Sequence, residues 1–144
     1  MEYVLRTNDL SKHYKHCKAL DKLTMSVEKG AIYGFVGRNG AGKTTLIRLI
    51  CGLQEPTGGS FELYGRPNTN RDITRSRRRM GAVVETPSIY LSMTAEENLK
   101  QQFQILGLPS CDGLGELLEL VRLQNTGKKK ARNFSLGMRQ RLGI

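Results

Sequence analysis

Residues 34–50 read GFVGRNGAGKTTLIRLI, in which an apolar run, a glycine-rich loop and an amphipathic stretch follow one another. The loop fits the pattern G-x-x-x-x-G-K-[ST], with Gly37, four further residues, and then Gly42, Lys43 and Thr44. Glycines in such a loop let main-chain N–H groups converge on phosphate oxygens without a Cβ in the way. The lysine adds a charge that reaches the β- and γ-phosphates, and the hydroxyl after it ligates Mg²⁺. The loop is therefore predicted to bind a nucleoside triphosphate.

The sequence on each side of this loop indicates a strand and a helix. Residues 31–36 (AIYGFV) are almost continuously apolar, as in a parallel strand that is buried on both faces. Residues 42–52 (GKTTLIRLICG) indicate a helix that Gly52 ends. The N-terminus of such a helix carries positive partial charge, which suits a phosphate. The predicted apolar side of this helix consists of Leu46, Ile47, Leu49 and Ile50.

Four other segments in the first part of the chain are predicted to be strands. Alternating apolar and polar residues indicate strands at 3–10, 19–27 and 60–65. The apolar run at 81–85 (GAVVE) indicates another buried strand.

The rest of the chain is predicted to be mostly helical. Thr94 and Glu97 have the spacing of a capping box, which marks a helix N-terminus. Ser135 is a suitable N-cap for a later helix. The predicted helices span residues 94–106, 114–123 and 135–144.

The composition is that of an ordinary globular domain with an excess of positive charge. The 144 residues include 23 Lys and Arg against 13 Asp and Glu, a net charge of +10. Basic runs at 75–79 and 128–130 could contact nucleic acid or an anionic membrane, but no aromatic residues interleave them, so solvated faces are favoured. Neither a membrane span nor a secretory signal is visible, and a cytoplasmic location is expected.

The cysteines and histidines do not suggest a metal site. Cys17, Cys51 and Cys111 have no disulfide or zinc spacing and are expected to be reduced. His13 and His16 have no partner ligands nearby in the sequence.

Three segments, taken together, resemble the ATP-binding subunit of ABC transporters, and within it the bacitracin and lantibiotic export branch. They are residues 37–60 (GRNGAGKTTLIRLICGLQEPTGGS), 83–99 (VVETPSIYLSMTAEENL) and 133–144 (NFSLGMRQRLGI). The resemblance implies an α/β fold, the P-loop NTPase fold of the ABC ATPase type, with an antiparallel β subdomain and a helical subdomain. It implies a nucleotide-binding core at 1–85, a helical subdomain at 86–144, and ATP with Mg²⁺ as the ligands.

The resemblance also assigns roles to residues outside the loop. Tyr14 lies where the family carries an aromatic that stacks on adenine, although it could be an ordinary strand tyrosine. Ser135 and Gly137 stand in the family's signature sequence and would face the γ-phosphate of ATP held by a second copy; Ser135 could also be a plain N-cap. The loop residues expected to bind the nucleotide are Gly37, Asn39, Gly40, Ala41, Gly42, Lys43, Thr44 and Thr45.

Glu85 falls where most of the family has a glutamine that touches Mg²⁺ and the attacking water. A carboxylate can ligate Mg²⁺ as well, so Glu85 and Thr44 are the expected metal ligands, and Lys43 and Glu85 the expected catalytic residues. A solvent-facing glutamate at a strand end is the alternative. Leu136 and Met138 depart from the general Leu-Ser-Gly-Gly-Gln pattern of the signature, so Met138 is not expected to be a contact.

The family's Asp-Glu strand and its later histidine are not found in these 144 residues. The chain is therefore expected to be the N-terminal portion of a longer protein and to hydrolyse ATP by itself only at a background rate. The full protein is expected to be an ABC-type ATPase.

The implied function is coupling of ATP binding and hydrolysis to export of a peptide antibiotic or drug-like substrate. The implied partners are membrane-spanning subunits and a second nucleotide-binding subunit, arranged head to tail at the cytoplasmic face of the membrane. Ile89, Tyr90 and Leu91 are expected to be exposed and to contact the membrane subunit.

Three alternatives belong to other classes. A non-catalytic module would use ATP only to switch association. A GTPase or small kinase is disfavoured because no Asn-Lys-x-Asp motif is present and neither explains residues 133–144. A nucleic-acid binder would rest on charge alone, so no nucleic-acid partner is expected.

Overall fold

A computed structural model describes residues 2–144 of the chain. They form two compact units, of which one ends at Val84 and the other is Glu85–Ile144. The elements of the first unit are β1 (Tyr3–Tyr14), β2 (Cys17–Glu28), α1 (Lys43–Cys51), β3 (Gly58–Leu63), β4 (Arg66–Pro67) and α2 (Ile73–Arg77). Those of the second are α3 (Ala95–Leu106), α4 (Leu114–Leu120), two 3₁₀ turns (Gln124–Thr126 and Ala131–Asn133) and α5 (Leu136–Leu142).

The first unit is an antiparallel sheet covered by α1. Its strand order is β2-β1-β3-β4, and β1 pairs with both β2 and β3 in antiparallel register. The strands predicted at 3–10 and 19–27 are confirmed, although β1 and β2 run longer than predicted. The strand predicted at 60–65 is confirmed in part, since β3 begins at Gly58 and ends at Leu63. The buried core that joins sheet and helices consists of Leu10, Leu20, Leu46, Leu49, Phe61, Leu63 and Ile73.

The predicted helix after the loop is confirmed as α1, and Gly52 is its C-cap in the left-handed conformation. Leu46 and Leu49 are buried, as predicted, and each fully buried leucine contributes roughly 1.5–3 kcal/mol to stability. Ile50 packs partly against the core, whereas Ile47 is 39% exposed and does not belong to the buried side.

Two predicted buried strands are wrong within the described residues. The segments 31–36 and 81–85 contain no strand, and Ile32 and Val36 are almost fully exposed at 105% and 94%. A parallel strand is stable only between hydrogen-bonded neighbours and under covering layers. The sheet of residues 2–144 is composed of β1–β4 alone, so the apolar run at 31–36 has no strand beside it there.

The second unit is helical and has its own core. Ala95, Leu123, Ala131, Phe134 and Leu142 are buried together in it. The residues that pack partly against this core are Ile89, Leu99, Leu118, Val121 and Met138.

The predicted capping box at the start of α3 is confirmed. The Thr94 hydroxyl oxygen accepts from the Glu97 N–H at 3.2 Å, and the Glu97 carboxylate accepts from the Thr94 N–H at 2.7 Å. Lys130 adds an ion pair to Glu97 at 3.0 Å and lies in an isolated β-bridge with Thr94. These contacts fix the N-terminus of α3 against the segment that leads to α5.

The described residues contain no helix that is both long and apolar enough to cross a membrane. Cys17, Cys51 and Cys111 are free, as predicted, and Cys51 is the last residue of α1. Burial raises the pKa of the Cys51 thiol.

Candidate phosphate-binding site

Two glycines of the loop before α1 adopt backbone conformations that favour glycine. Gly40 and Gly42 have φ of +82° and +84°. Gly42 also lies directly against β2, because a Cβ there would overlap the Ala19 carbonyl oxygen and lie 3.0 Å from Leu20 Cδ2. At Gly40 a Cβ would meet nothing within 4 Å, so only its backbone angle requires glycine. The loop is thus anchored to the sheet at Gly42.

The N-terminus of α1 is not capped by a side chain. Gly42 is its N-cap, no acidic residue lies in the first turn, and the Leu46 N–H donates to the Gly42 carbonyl oxygen at 2.9 Å. The N–H groups of the first turn that precede Leu46 therefore lack an intrahelical acceptor. Such a helix end has the donors and the positive partial charge that a phosphate group needs.

Lys43 folds back over the loop. Its Nζ donates to the carbonyl oxygens of Gly37 at 2.6 Å and Arg38 at 2.8 Å. The Ala41 N–H also donates to the Arg38 carbonyl, at 3.1 Å, which closes the turn. The ammonium group therefore lies beside the loop that leads into the N-terminus of α1. Thr44 and Thr45 are half-buried in the first turn of the helix.

Tyr14 lies at the end of β1, in the same unit as the loop. Its side chain is 44% exposed, and its hydroxyl donates to Gln54 Oε1 at 2.7 Å. Lys12 Nζ lies 5.4 Å from the centroid of the Tyr14 ring and donates to the Glu55 carbonyl oxygen at 2.7 Å. The Tyr14 ring is thus held at its hydroxyl by Gln54 and contacted on one face by Lys12.

The other predicted site residues lie in the second unit. Glu85 is its first residue and has a left-handed φ of +65°. Ser135 is the N-cap of α5 and accepts from the Met138 N–H at 3.2 Å, as predicted. Gly137 is exposed, and a Cβ there would meet nothing within 4 Å. The structure therefore brings the loop residues 37–45 together around one helix end, with Tyr14 in the same unit.

The segment predicted to contact a membrane subunit is partly exposed. Tyr90 is 50% and Leu91 46% exposed, whereas Ile89 is half-buried against the second core, which corrects the prediction for Ile89. Asn98 holds this segment in place: its Oδ1 accepts from the Tyr90 N–H at 2.7 Å, and its Nδ2 donates to the carbonyls of Tyr90 and Thr94 at 3.0 and 2.8 Å.

Sequence reasoning missed Gln54, Lys12 and Asn98. Gln54 and Lys12 carry no motif, and their roles depend on contacts with residues distant in sequence. Asn98, by contrast, is polar in an apolar phase of an amphipathic helix, which is a signal that a partner is nearby. Among residues 2–144 no group of three His, Cys, Asp or Glu side chains could hold a metal ion.

Comparison with known proteins identifies the class. Residues 20–144 match the sequence profile of the family described as ABC transporter, and the chain belongs to that family. The fold agrees, since a solved dimeric post-hydrolysis state of the ATP-binding cassette MJ0796, bound to ADP and Pi, superposes with a TM-score of 0.79. That structure is 23% identical to this chain, and the match covers 96% of this chain and 66% of that one.

Two curated relatives within this family are transport ATP-binding proteins, one for bacitracin and one for a lantibiotic, to judge by their names. The chain is 46% identical over 144 residues to the bacitracin transport ATP-binding protein BcrA of Bacillus licheniformis, covering 100% of this chain and 47% of that protein. It is 37% identical over 141 residues to the lantibiotic transport ATP-binding protein SrtF of Streptococcus pyogenes, covering 98% of this chain and 59% of that protein. The chain thus spans about half the length of the curated relatives that it matches.

Proposed function

We propose that this chain is the nucleotide-binding part of an ABC transporter's ATP-binding subunit, and that ATP with Mg²⁺ binds at the loop of residues 37–45. One observation carries the proposal: the uncapped N-terminus of α1 and the Lys43 ammonium converge on a single loop. Gly40 and Gly42 of that loop have positive φ, a conformation that favours glycine. Membership of the family and the two transport relatives support the same assignment.

The residues of the loop fit the two ligands chemically. Main-chain N–H groups of the α1 N-terminus would donate to phosphate oxygens. Lys43 would exchange its two carbonyl acceptors for an anionic phosphate oxygen, because a charged acceptor forms the stronger hydrogen bond. The Thr44 hydroxyl, with Glu85 as a further candidate ligand, would hold Mg²⁺. When bound, Mg²⁺ neutralises the charge that accumulates on the phosphates.

The second unit supports a role for a second copy of the chain. Ser135 and Gly137 are exposed at the N-terminus of α5, where a hydroxyl and main-chain amides could meet a γ-phosphate. We propose a nucleotide-binding core at 1–85 and a helical subdomain at 86–144; the division into compact units between Val84 and Glu85 supports a boundary at this point. The proposed dimer pairs the loop of one copy with Ser135 of the other.

The proposed partners are membrane-spanning subunits, and the proposed cargo is a peptide antibiotic or a drug-like molecule. The names of the bacitracin and lantibiotic transport relatives support this cargo class. The exposed Tyr90 and Leu91, held in place by Asn98, offer an apolar contact for such a subunit. We therefore propose a peripheral position at the cytoplasmic face of the membrane.

A calorimetric titration of the 144-residue chain with Mg²⁺–ATP tests the proposal. Lys43→Ala removes a charged donor to phosphate, worth about 1.5–3 kcal/mol, so the Kd should rise about 10- to 150-fold. Lys128→Ala is the matched control, because Lys128 is an exposed lysine of the second unit, and its Kd should stay within about twofold of wild type. Absence of ATP binding, or equal losses in both variants, would contradict the proposal.

Hydrolysis is a separate prediction. Phosphate release by the 144 residues alone should stay at the rate of buffer with ATP. Turnover that Lys43→Ala abolishes would show that the chain carries a complete catalytic site.

A further inference from the structure

The ring of Tyr14 is fixed by groups that lie beyond the far end of α1. The Tyr14 hydroxyl donates to Gln54 Oε1 at 2.7 Å, and Gln54 comes two residues after the C-cap Gly52. The N–H groups of Gly52 and Leu53 donate to the carbonyls of Leu49 and Arg48 at 3.1 and 2.9 Å. This pair of bonds is a Schellman motif, which sets the path of the chain just before Gln54.

The helix that presents its N-terminus to phosphate therefore also positions Gln54 at its other end. α1 has nine residues and is about 13 Å long. Its N-cap packs on Ala19 of β2, and the segment after its C-cap lies beside β1, where the His13 N–H donates to Thr57 Oγ1 at 2.9 Å. One rigid element thus connects the phosphate loop with the contact that holds Tyr14.

The faces of the Tyr14 ring are not equivalent. Lys12 Nζ lies over the ring at 5.4 Å from its centroid, and its bond to the Glu55 carbonyl oxygen at 2.7 Å keeps it there. A nucleotide base that stacks on Tyr14 would therefore use the face opposite Lys12. Stacking requires the ring to stay in one place. The hydroxyl bond to Gln54 holds the outer end of the ring, and Lys12 over one face restricts rotation of the ring plane.

We propose that Gln54 is a positioning residue for base recognition: it fixes the Tyr14 ring, through the hydroxyl, so that the adenine of ATP stacks on the face opposite Lys12. The proposal rests on the proposed function, since it requires triphosphate binding at the loop of residues 37–45. Gln54 would contribute to the affinity for the base and nothing to the affinity for the phosphates.

Calorimetry with two ligands, Mg²⁺–ATP and Mg²⁺–tripolyphosphate, separates these contributions. In the wild-type chain ATP should bind more tightly than tripolyphosphate, because base stacking adds a factor of about 5 to 150. Gln54→Leu should weaken ATP binding about three- to tenfold and leave tripolyphosphate within about twofold, since one neutral hydrogen bond is lost. Gln104→Leu, the same change at an exposed site of α3, should alter neither.

Tyr14→Phe removes the other partner of the hydrogen bond between Tyr14 and Gln54. It keeps the ring and removes the hydroxyl, so it should reproduce the selective loss of ATP affinity, and combining it with Gln54→Leu should add nothing further. An unchanged ATP Kd in Gln54→Leu, or a parallel loss of affinity for both ligands, would overturn the inference. Equal affinity of the wild-type chain for ATP and tripolyphosphate would overturn it too while leaving phosphate binding intact, whereas binding of neither ligand would refute the proposed function itself.

Discussion

Replacement of Gly42 by alanine tests whether the loop is held against β2 as the structure shows. The backbone there has φ of +84°, which costs an L-residue about 1–2 kcal/mol. The added Cβ would also overlap the Ala19 carbonyl oxygen and approach Leu20 Cδ2 to 3.0 Å, and overpacking of this kind costs about 1–3 kcal/mol. Together these give an expected loss of about 2–5 kcal/mol in the free energy of unfolding of the first unit.

Two other glycines of the same segment separate the two causes. Gly40 has nearly the same φ, +82°, but open space around its Cβ position, so Gly40→Ala should cost only the backbone part, about 1–2 kcal/mol. Gly34 has open space and no positive φ, so Gly34→Ala should be neutral or slightly stabilising.

Urea unfolding followed by far-UV circular dichroism measures the three variants under one set of conditions. The expected order of stability is Gly34→Ala, then Gly40→Ala, then Gly42→Ala, at unchanged m-values. If Gly40→Ala and Gly42→Ala were equally stable within about 0.5 kcal/mol, the contact between Gly42 and β2 would have no energetic role and the reasoning would be refuted.

Three further predictions concern the second unit and are checked by the same unfolding measurement. Thr94→Ala should lower stability by about 1 kcal/mol because the capping-box hydroxyl is lost, whereas Thr74→Ala, at an exposed position of α2, should not. Asn98→Ala should cost about 3 kcal/mol, since three hydrogen bonds of about 1 kcal/mol each disappear; a loss below about 1 kcal/mol would mean that Asn98 does not hold the segment. The Thr94 N–H, and then Lys130, hold the pKa of Glu97 below its usual 4.5. The stabilising contribution of the Glu97 carboxylate is therefore present above that pH and is lost as the pH falls through the lower folded pKa. Glu97→Gln should remove this part of the acid dependence of stability, and an unchanged dependence of stability on pH would contradict the assignment.

The local elements were predictable from sequence because their signals are local. The capping box of Thr94 and Glu97, the N-cap Ser135 and the helix ended by Gly52 depend on residues within one or two turns. Each signal is a hydrogen bond or backbone angle that the nearby chain satisfies by itself.

The strand predictions for the two apolar runs were wrong because a buried strand depends on distant residues. Residues 31–36 have the composition of a buried strand, but a strand of a parallel sheet exists only where other strands pair with it. Within residues 2–144 the sheet is β1–β4, so composition alone gave the wrong structure for 31–36 and 81–85. The contact of Gln54 could not be predicted for a related reason, since its partner Tyr14 lies 40 residues earlier in the chain.

The central claim is that the main-chain amides at the N-terminus of α1, together with Lys43, bind the triphosphate of ATP. Amide ¹H–¹⁵N spectra of the 144-residue chain, recorded while Mg²⁺–ATP is added, test it directly. The account predicts the largest saturable shifts at Gly40, Gly42, Lys43 and Thr44, with the same four shifting on addition of Mg²⁺–tripolyphosphate. Saturable shifts centred elsewhere, with these four amides unmoved, would contradict it.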